Sequence, residues 1–237
     1  MNSQEIRIQF AKLSGRYDLI NSNNTDNGAD FFLNAGQRWL DRKINHKKSR
    51  ARYFEEVAAG TWYVKMQTLR VAEEVWINDS EERWELDRKA WNWLHNEFPD
   101  LISSTDRDDP LYWSPAELRG EEITDIDAQG SFFNYALAYD DNEEYSAIII
   151  LPPPDVSMVV EVVGRFWTPT LTGETMETYW SIQHPDILLT AALYKLESFM
   201  RNTAGAKDYL FALGEDVIDL DKDEIQQDIW EVDQLEG

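Results

Sequence analysis

The residues that most often carry chemistry are sparse and badly spaced. The chain has three histidines, His46, His95 and His184. No two of them stand within helical reach of one another, so a paired-histidine metal site of the H-E-x-x-H kind is excluded. His95 lies among tryptophans at helical spacing and reads as a packing residue. There is no cysteine, which removes thiolate ligands and disulfides and suits a reducing compartment. No G-x-S-x-G, G-x-x-x-x-G-K-[ST] or G-x-G-x-x-G run occurs. Asp219, Asp221 and Asp223 alternate like the opening of a calcium loop. Glu224 then stands where that loop needs glycine, and Trp230 where it needs a bidentate glutamate, so the reading fails. Asp106, Asp108 and Asp109 could hold a hard cation but read better as a solvated loop. With 45 acidic residues, some carboxylate pair will stand at glycosidase distance by chance, and nothing selects one. No catalytic, cofactor-binding or metal residue is assigned, no cofactor is expected, and the chain reads as a non-enzyme.

What remains is charge. The net charge is −23, which opposes a broad grip on a nucleic-acid backbone and equally opposes an anionic membrane. Yet Arg38, Arg42, Lys43, Lys47, Lys48, Arg50 and Arg52 put seven of the 22 cations into one short segment. That segment is either a patch for phosphate or an acidic partner, or a helix end favoured by the macrodipole and followed by a solvated loop. At the other end, Glu215–Glu236 holds ten acidic residues and one lysine, with Val217, Leu220, Ile225, Ile229, Val232 and Leu235 spread through it. It reads as a frayed acidic helix or as a tail that orders on a partner. The candidate partner-binding residues are therefore Arg42, Lys43, Lys47, Lys48 and Arg50, with Val217, Leu220, Ile225, Ile229 and Trp230.

Hydrophobic periodicity supplies the elements that must position these groups. Ile6, Phe10, Leu13 and Tyr17 predict a helix over about 3–19. After the loop Asn21–Gly28, capped by Thr25 or Asp26, a second helix is expected over about 29–44. Strands follow over about 53–77, where Trp62, Val64 and Met66 alternate with polar neighbours. Trp84, Arg88, Trp91, Leu94, His95 and Phe98 suggest a helix over about 80–98, its tryptophans in the core rather than stacked on sugars. A second set of strands is expected over about 121–167, at Ile123–Asp127, Phe132–Tyr139, Ile148–Leu151 and Val156–Phe166. Asp140-Asp141-Asn142 makes a turn between two of them, Pro152-Pro153-Pro154 ends the third, and the last is half-buried by its alternation. Pro185 opens a buried helical region over about 185–213. The expected fold class is α+β: a helical bundle with an inserted antiparallel β-module, forming one domain over 1–213, and an acidic C-terminal tail over 214–237. With 43% apolar residues the chain can build a core. The N-terminus has no secretory h-region, and no apolar run approaches the roughly 18 residues needed to span a bilayer.

The order of features resembles that of the head-to-tail adaptor (connector) proteins of tailed bacteriophages. The stretches that carry the resemblance are FAKLSGRYDL (Phe10–Leu19), DFFLNAGQRWLDRKI (Asp30–Ile44), EEVAAGTWYVKM (Glu55–Met66), DDPLYWSPAEL (Asp108–Leu118), LPPPDVSMVVEVVGRFWTPTLT (Leu151–Thr172) and HPDILLTAALYKLESFMRN (His184–Asn202). In that family an early helix with an Asn and a later Leu-Asp leads into strands. A Pro-x-Leu-(Ser/Thr) turn, here Pro169–Thr172, closes the strands, and a Pro-Asp, here Pro185-Asp186, opens the main late helix. The resemblance spans about residues 5–212 and leaves the acidic tail outside. It implies a virion structural protein of the neck, at the head–tail interface, assembled in the host cytoplasm. Such a protein forms a homo-oligomeric ring, usually dodecameric, below the portal protein. The ring extends the DNA channel toward a downstream tail or nozzle protein, and DNA passes without sequence-specific binding. The alternatives are a carbohydrate-binding or glycoside-acting protein, suggested by the ten tryptophans, or another tail-completion or neck protein.

Overall fold

The computed structural model describes residues 1–44, 46–66, 68–79, 82–98, 107–115 and 147–235, with only the backbone described at 47, 221 and 223–235. In chain order the elements are α1 (Ser3–Ser14), α2 (Ala29–Lys43), β1 (Arg50–Val57), β2 (Tyr63–Lys65), β3 (Leu69–Asn78), β4 (Arg83–Glu85) and β5 (Asp87–Arg88). Then come α3 (Trp91–Glu97), β6 (Tyr112–Pro115), β7 (Ala147–Leu151), β8 (Met158–Phe166), α4 (Tyr179–Gln183), α5 (Pro185–Phe199) and α6 (Thr203–Leu235). They divide into two compact units. Met1–Ser49 and Trp167–Gly237 together make the helical one, and Arg50–Phe166 makes the β one. Both sheets lie in the β unit, which also holds the short helix α3, and the other helices lie in the helical unit, an α+β arrangement.

In the helical unit, Asn2 and Glu5 close a capping box at the start of α1. Gly15 ends that helix in the left-handed region, with φ 69°. The expected helix over 3–19 is therefore cut at Ser14, and Tyr17–Leu19 is a separate 3-10 turn. Arg7, 1% exposed, anchors α1 by donating to both carboxylate oxygens of Asp30 at 2.8 Å and to the Gly173 carbonyl at 2.9 Å. α2 crosses α5 at Gly36, where a Cβ would sit 2.8 Å from the backbone nitrogen of Ala192. Only a residue without a side chain lets the two backbones approach so closely. The core of the unit gathers Ile6, Phe10, Leu33, Leu40, Trp180 and Leu188.

α5 and α6 are separated by a break at Met200–Asn202, where Arg201 takes φ 59°. α6 runs through the position 213/214, where a tail was expected to begin, to Leu235. Leu213 and Leu220 are buried in the core, and Val217 packs on it half-buried. These three recur at spacings of four and three, which is one face of a helix.

The β unit pairs two four-stranded sheets, ordered β1-β8-β3-β4 and β2-β7-β6-β5. One apolar cluster takes Val75, Ile77, Val160 and Val162 from the first sheet and Val64, Trp113, Ile148 and Ile150 from the second. A smaller cluster on the second sheet joins Ile149 and Leu151 to Trp62 and to Leu94 of α3. β7 is thus buried on both faces, as its unbroken apolar run suggests. The β-module was expected to be antiparallel. Among the described residues the pairings follow that except β5 with β6, which is parallel.

Two further expectations are corrected. The helix over 80–98 is confined to Trp91–Glu97, and Arg83–Glu85 is instead a strand on β3, with Trp84 opposite Ile77. Trp84 and the buried Leu86 are also spaced by two, and the sheet partner decided between the two periods. β8 is not half-buried but buried from Val160 to Gly164, because it lies between β1 and β3. Its Glu161, 4% exposed, is held by Arg83 at 2.9 Å and lies 3.5 Å from Arg52. The strands expected at Ile123–Asp127 and Phe132–Tyr139, the turn at Asp140–Asn142 and Asp106 all lie outside the described residues.

Candidate functional site

The basic segment divides between the two units. Arg50, at the start of β1, is neutralised by Glu73 at 2.8 Å and Glu74 at 3.0 Å. Arg52 points to Glu161. On the helical unit the picture is different. Arg38, Arg42, Lys43 and Lys48 are exposed, and none of them has a carboxylate within 4.0 Å among the described residues. The side chain of Lys47 lies outside the described ones.

Arg38 and Arg42 share the outer face of α2, one turn apart. Both guanidinium carbons lie over the Trp167 ring, at 5.5 and 5.9 Å from its centroid, which is cation–π distance. Lys195 of α5 joins them and also makes no ion pair among the described residues. Partial burial, and then the nearby charge of Arg42, hold its ammonium below the ordinary lysine range. In a chain of net charge −23, a cluster of cations without carboxylates is a local potential that suits an anionic partner.

A polar seam places Trp167 there. Asn34, Gln37 and Asp41 stand at spacings of three and four on α2, along one helical stripe. Each bonds the segment that returns from β8. Leu171 N donates to Asn34 Oδ1 at 2.8 Å, and Asn34 Nδ2 donates to the Leu171 carbonyl at 3.1 Å. Gln37 Nε2 donates to the Pro169 carbonyl at 2.7 Å, and Gln37 Oε1 accepts from the Thr178 hydroxyl at 2.8 Å. Asp41 accepts from Thr168 N at 2.9 Å, from the Thr168 hydroxyl at 2.7 Å and from Trp180 Nε1 at 2.7 Å. His46 closes the pocket, 2% exposed and stacked on Tyr179 with ring centroids 4.2 Å apart. Its Nε2 lies 3.8 Å from Asp41 Oδ1. Burial pushes the Asp41 carboxyl up, but His46, Trp180 and Thr168 outweigh it and hold the group below the usual range.

The candidate residues of the C-terminal region divide as well. Leu220 is 7% exposed inside the core and Val217 packs on it, so both serve the chain's own fold rather than a free docking face. Ile225, Ile229 and Trp230 lie on the α6 backbone, and their side chains are outside the described ones. The outer side of α6 instead exposes Phe211 (70%) and Ile218 (56%). A second exposed apolar group sits where α2 begins and α5 ends. There Phe31 and Phe199 face each other with centroids 6.5 Å apart, and Met200 follows.

Sequence reasoning missed Phe31, Asp41, Trp167, Lys195 and Phe211 as site residues. The spacing of Asn34, Gln37 and Asp41 was the available signal for the seam, three polar residues on an otherwise apolar side of a helix. Among the described tryptophan side chains only Trp93 is exposed; the rest are buried or half-buried. Among the described residues there is no group of three potential metal ligands, and no helix is long and apolar enough to cross a membrane. The chain matches no protein-family model and no curated protein.

Proposed function

We propose that this chain is a structural connector of a tailed-phage neck, a head-to-tail adaptor that assembles as a ring between the portal protein and a downstream tail protein. The observation that supports this reading most is the seam on α2. The adaptor resemblance rests on an early helix with Asn34 and Leu40-Asp41, and on the later turn Pro169-Thr170-Leu171-Thr172. These features stand more than 120 residues apart in sequence, and they bond directly: Asn34 to Leu171, and Asp41 to the Thr168 that precedes the turn. The contact supports the reading because it gives the order of these features a structural reason. Here they join the two stretches of chain, before and after the β unit in sequence, that make up the helical unit.

The charge distribution agrees with such a role. A connector needs surfaces for its neighbours and a wall that packaged DNA does not stick to. The acidic excess offers no neutralising grip on phosphate, while Arg38, Arg42 and Lys195 remain available for an acidic protein surface. Charge reversal at Arg42, Lys43 and Lys48 is expected to weaken assembly while leaving the monomer folded. Unchanged assembly and portal binding in that variant would count against the proposal.

A further inference from the structure

The outer face of α2 changes character along its length. At its N-terminal end it is apolar, with Phe31 exposed at 64% beside Phe199. Two turns on it becomes cationic, with Arg38, Arg42 and the neighbouring Lys195 lacking ion pairs among the described residues. Such a strip fits a helix that carries both apolar and acidic residues on one side. The chain owns such a helix. α6 holds ten carboxylates and two lysines between Thr203 and Leu235. Its core-facing stripe of Leu213, Val217 and Leu220 leaves Phe211 and Ile218 exposed on the opposite side. The sequence continues their seven-residue spacing to Ile225 and Val232, the repeat of a helix that packs on another helical surface.

We propose that the outer face of α2 seats helix α6 of a second copy of this chain, with Phe211 and Ile218 against Phe31 and Phe199 and the acidic side of α6 against Arg38, Arg42 and Lys195. This rests on the adaptor reading and names the contact that would build its ring. Charge selects this occupant over symmetric pairings. Two α6 helices together would oppose ten carboxylates to ten, and two α2 faces together would oppose cations to cations. Carboxylates already crowd this part of α6: burial, and then Asp186 of α5 with Asp219 and Glu215 of α6, raise the carboxyl of Asp216. Pairing unlike faces relieves both repulsions. It is a heterologous contact, which closes into a ring when the rotation permits.

The test uses the full chain and two double variants, Arg38→Glu with Arg42→Glu and Phe211→Asp with Ile218→Asp. All four side chains are exposed, so circular dichroism should show a native fold in both. The wild type is expected to form closed oligomers by sedimentation and native mass. Each variant alone should associate more weakly by about 30-fold or more, the scale of losing an interface hot spot. An equimolar mixture of the two variants should give a one-to-one heterodimer, since one variant keeps an intact α6 and the other an intact α2 face. A mixture that stays monomeric, variants that assemble like the wild type, or a monomeric wild type would each overturn this contact. The adaptor reading is judged separately by the proteins bound to the chain in the particle. Portal found beside a ring built without this contact would sink the inference and leave that reading standing.

Discussion

At the scale of single residues, Asp41 carries the most. Its carboxylate collects three donors from Thr168 and Trp180 in a place that is 2% exposed. Removing it leaves the buried Trp180 donor and the half-buried Thr168 donors without this acceptor, at a cost of about 1–3 kcal/mol for a buried group. Asp41→Ala is therefore expected to lower stability by about 3 kcal/mol in urea unfolding at neutral pH, with Trp180→Phe losing about 1 kcal/mol of that. The sign of the pH dependence follows from the lowered carboxyl. The ionised group stabilises the fold fully above the unfolded carboxylate range, near pH 4. That contribution is lost as pH falls through the lower folded value. Asp41→Asn should accordingly flatten the loss of stability below about pH 4. An acid profile identical to the wild type would show that the carboxylate charge does not hold the seam.

At the scale of elements, two contacts decide the helical unit. α2 and α5 touch backbone to backbone at Gly36. A methyl group there must push the helices apart, so Gly36→Ala should destabilise by about 1–3 kcal/mol despite its better helix propensity. A thermal melt that rises instead would contradict the close crossing. α6 must reach Leu220 to complete the core. A chain ending at Gly214 is expected to lose about 3 kcal/mol with the burial of Val217 and Leu220, whereas one ending at Lys222 should melt like the full chain. Much of this was legible in the sequence. The apolar periods of α2 and α5 and the unbroken run of β7 marked those elements closely, and Pro185 marked the start of α5. The errors came where two periods fitted one stretch, as at Trp84 and Leu86, or where acidic composition hid a helical face, as at Leu213, Val217 and Leu220. The seam was legible only as polar residues on an apolar helix. Its partners at 168–171 lie across an entire unit of chain, and no local spacing could name them.

At the scale of the whole molecule, the chain's two ends build one unit and its middle builds another. The basic segment divides at that boundary into paired arginines on β1 and cations on α2 that make no ion pair among the described residues. That contrast gives the net charge of −23 a reading beyond solubility. On the proposed reading the excess carboxylates would repel DNA and like surfaces, and these cations would receive a neighbouring subunit. The measurement that tests this account most directly is the native mass of the assembled particle that contains the chain, with its neighbouring proteins identified by mass spectrometry. The account predicts a closed homo-oligomeric ring bound to a portal protein on one side and a tail protein on the other. A monomer that joins no virion component would contradict it.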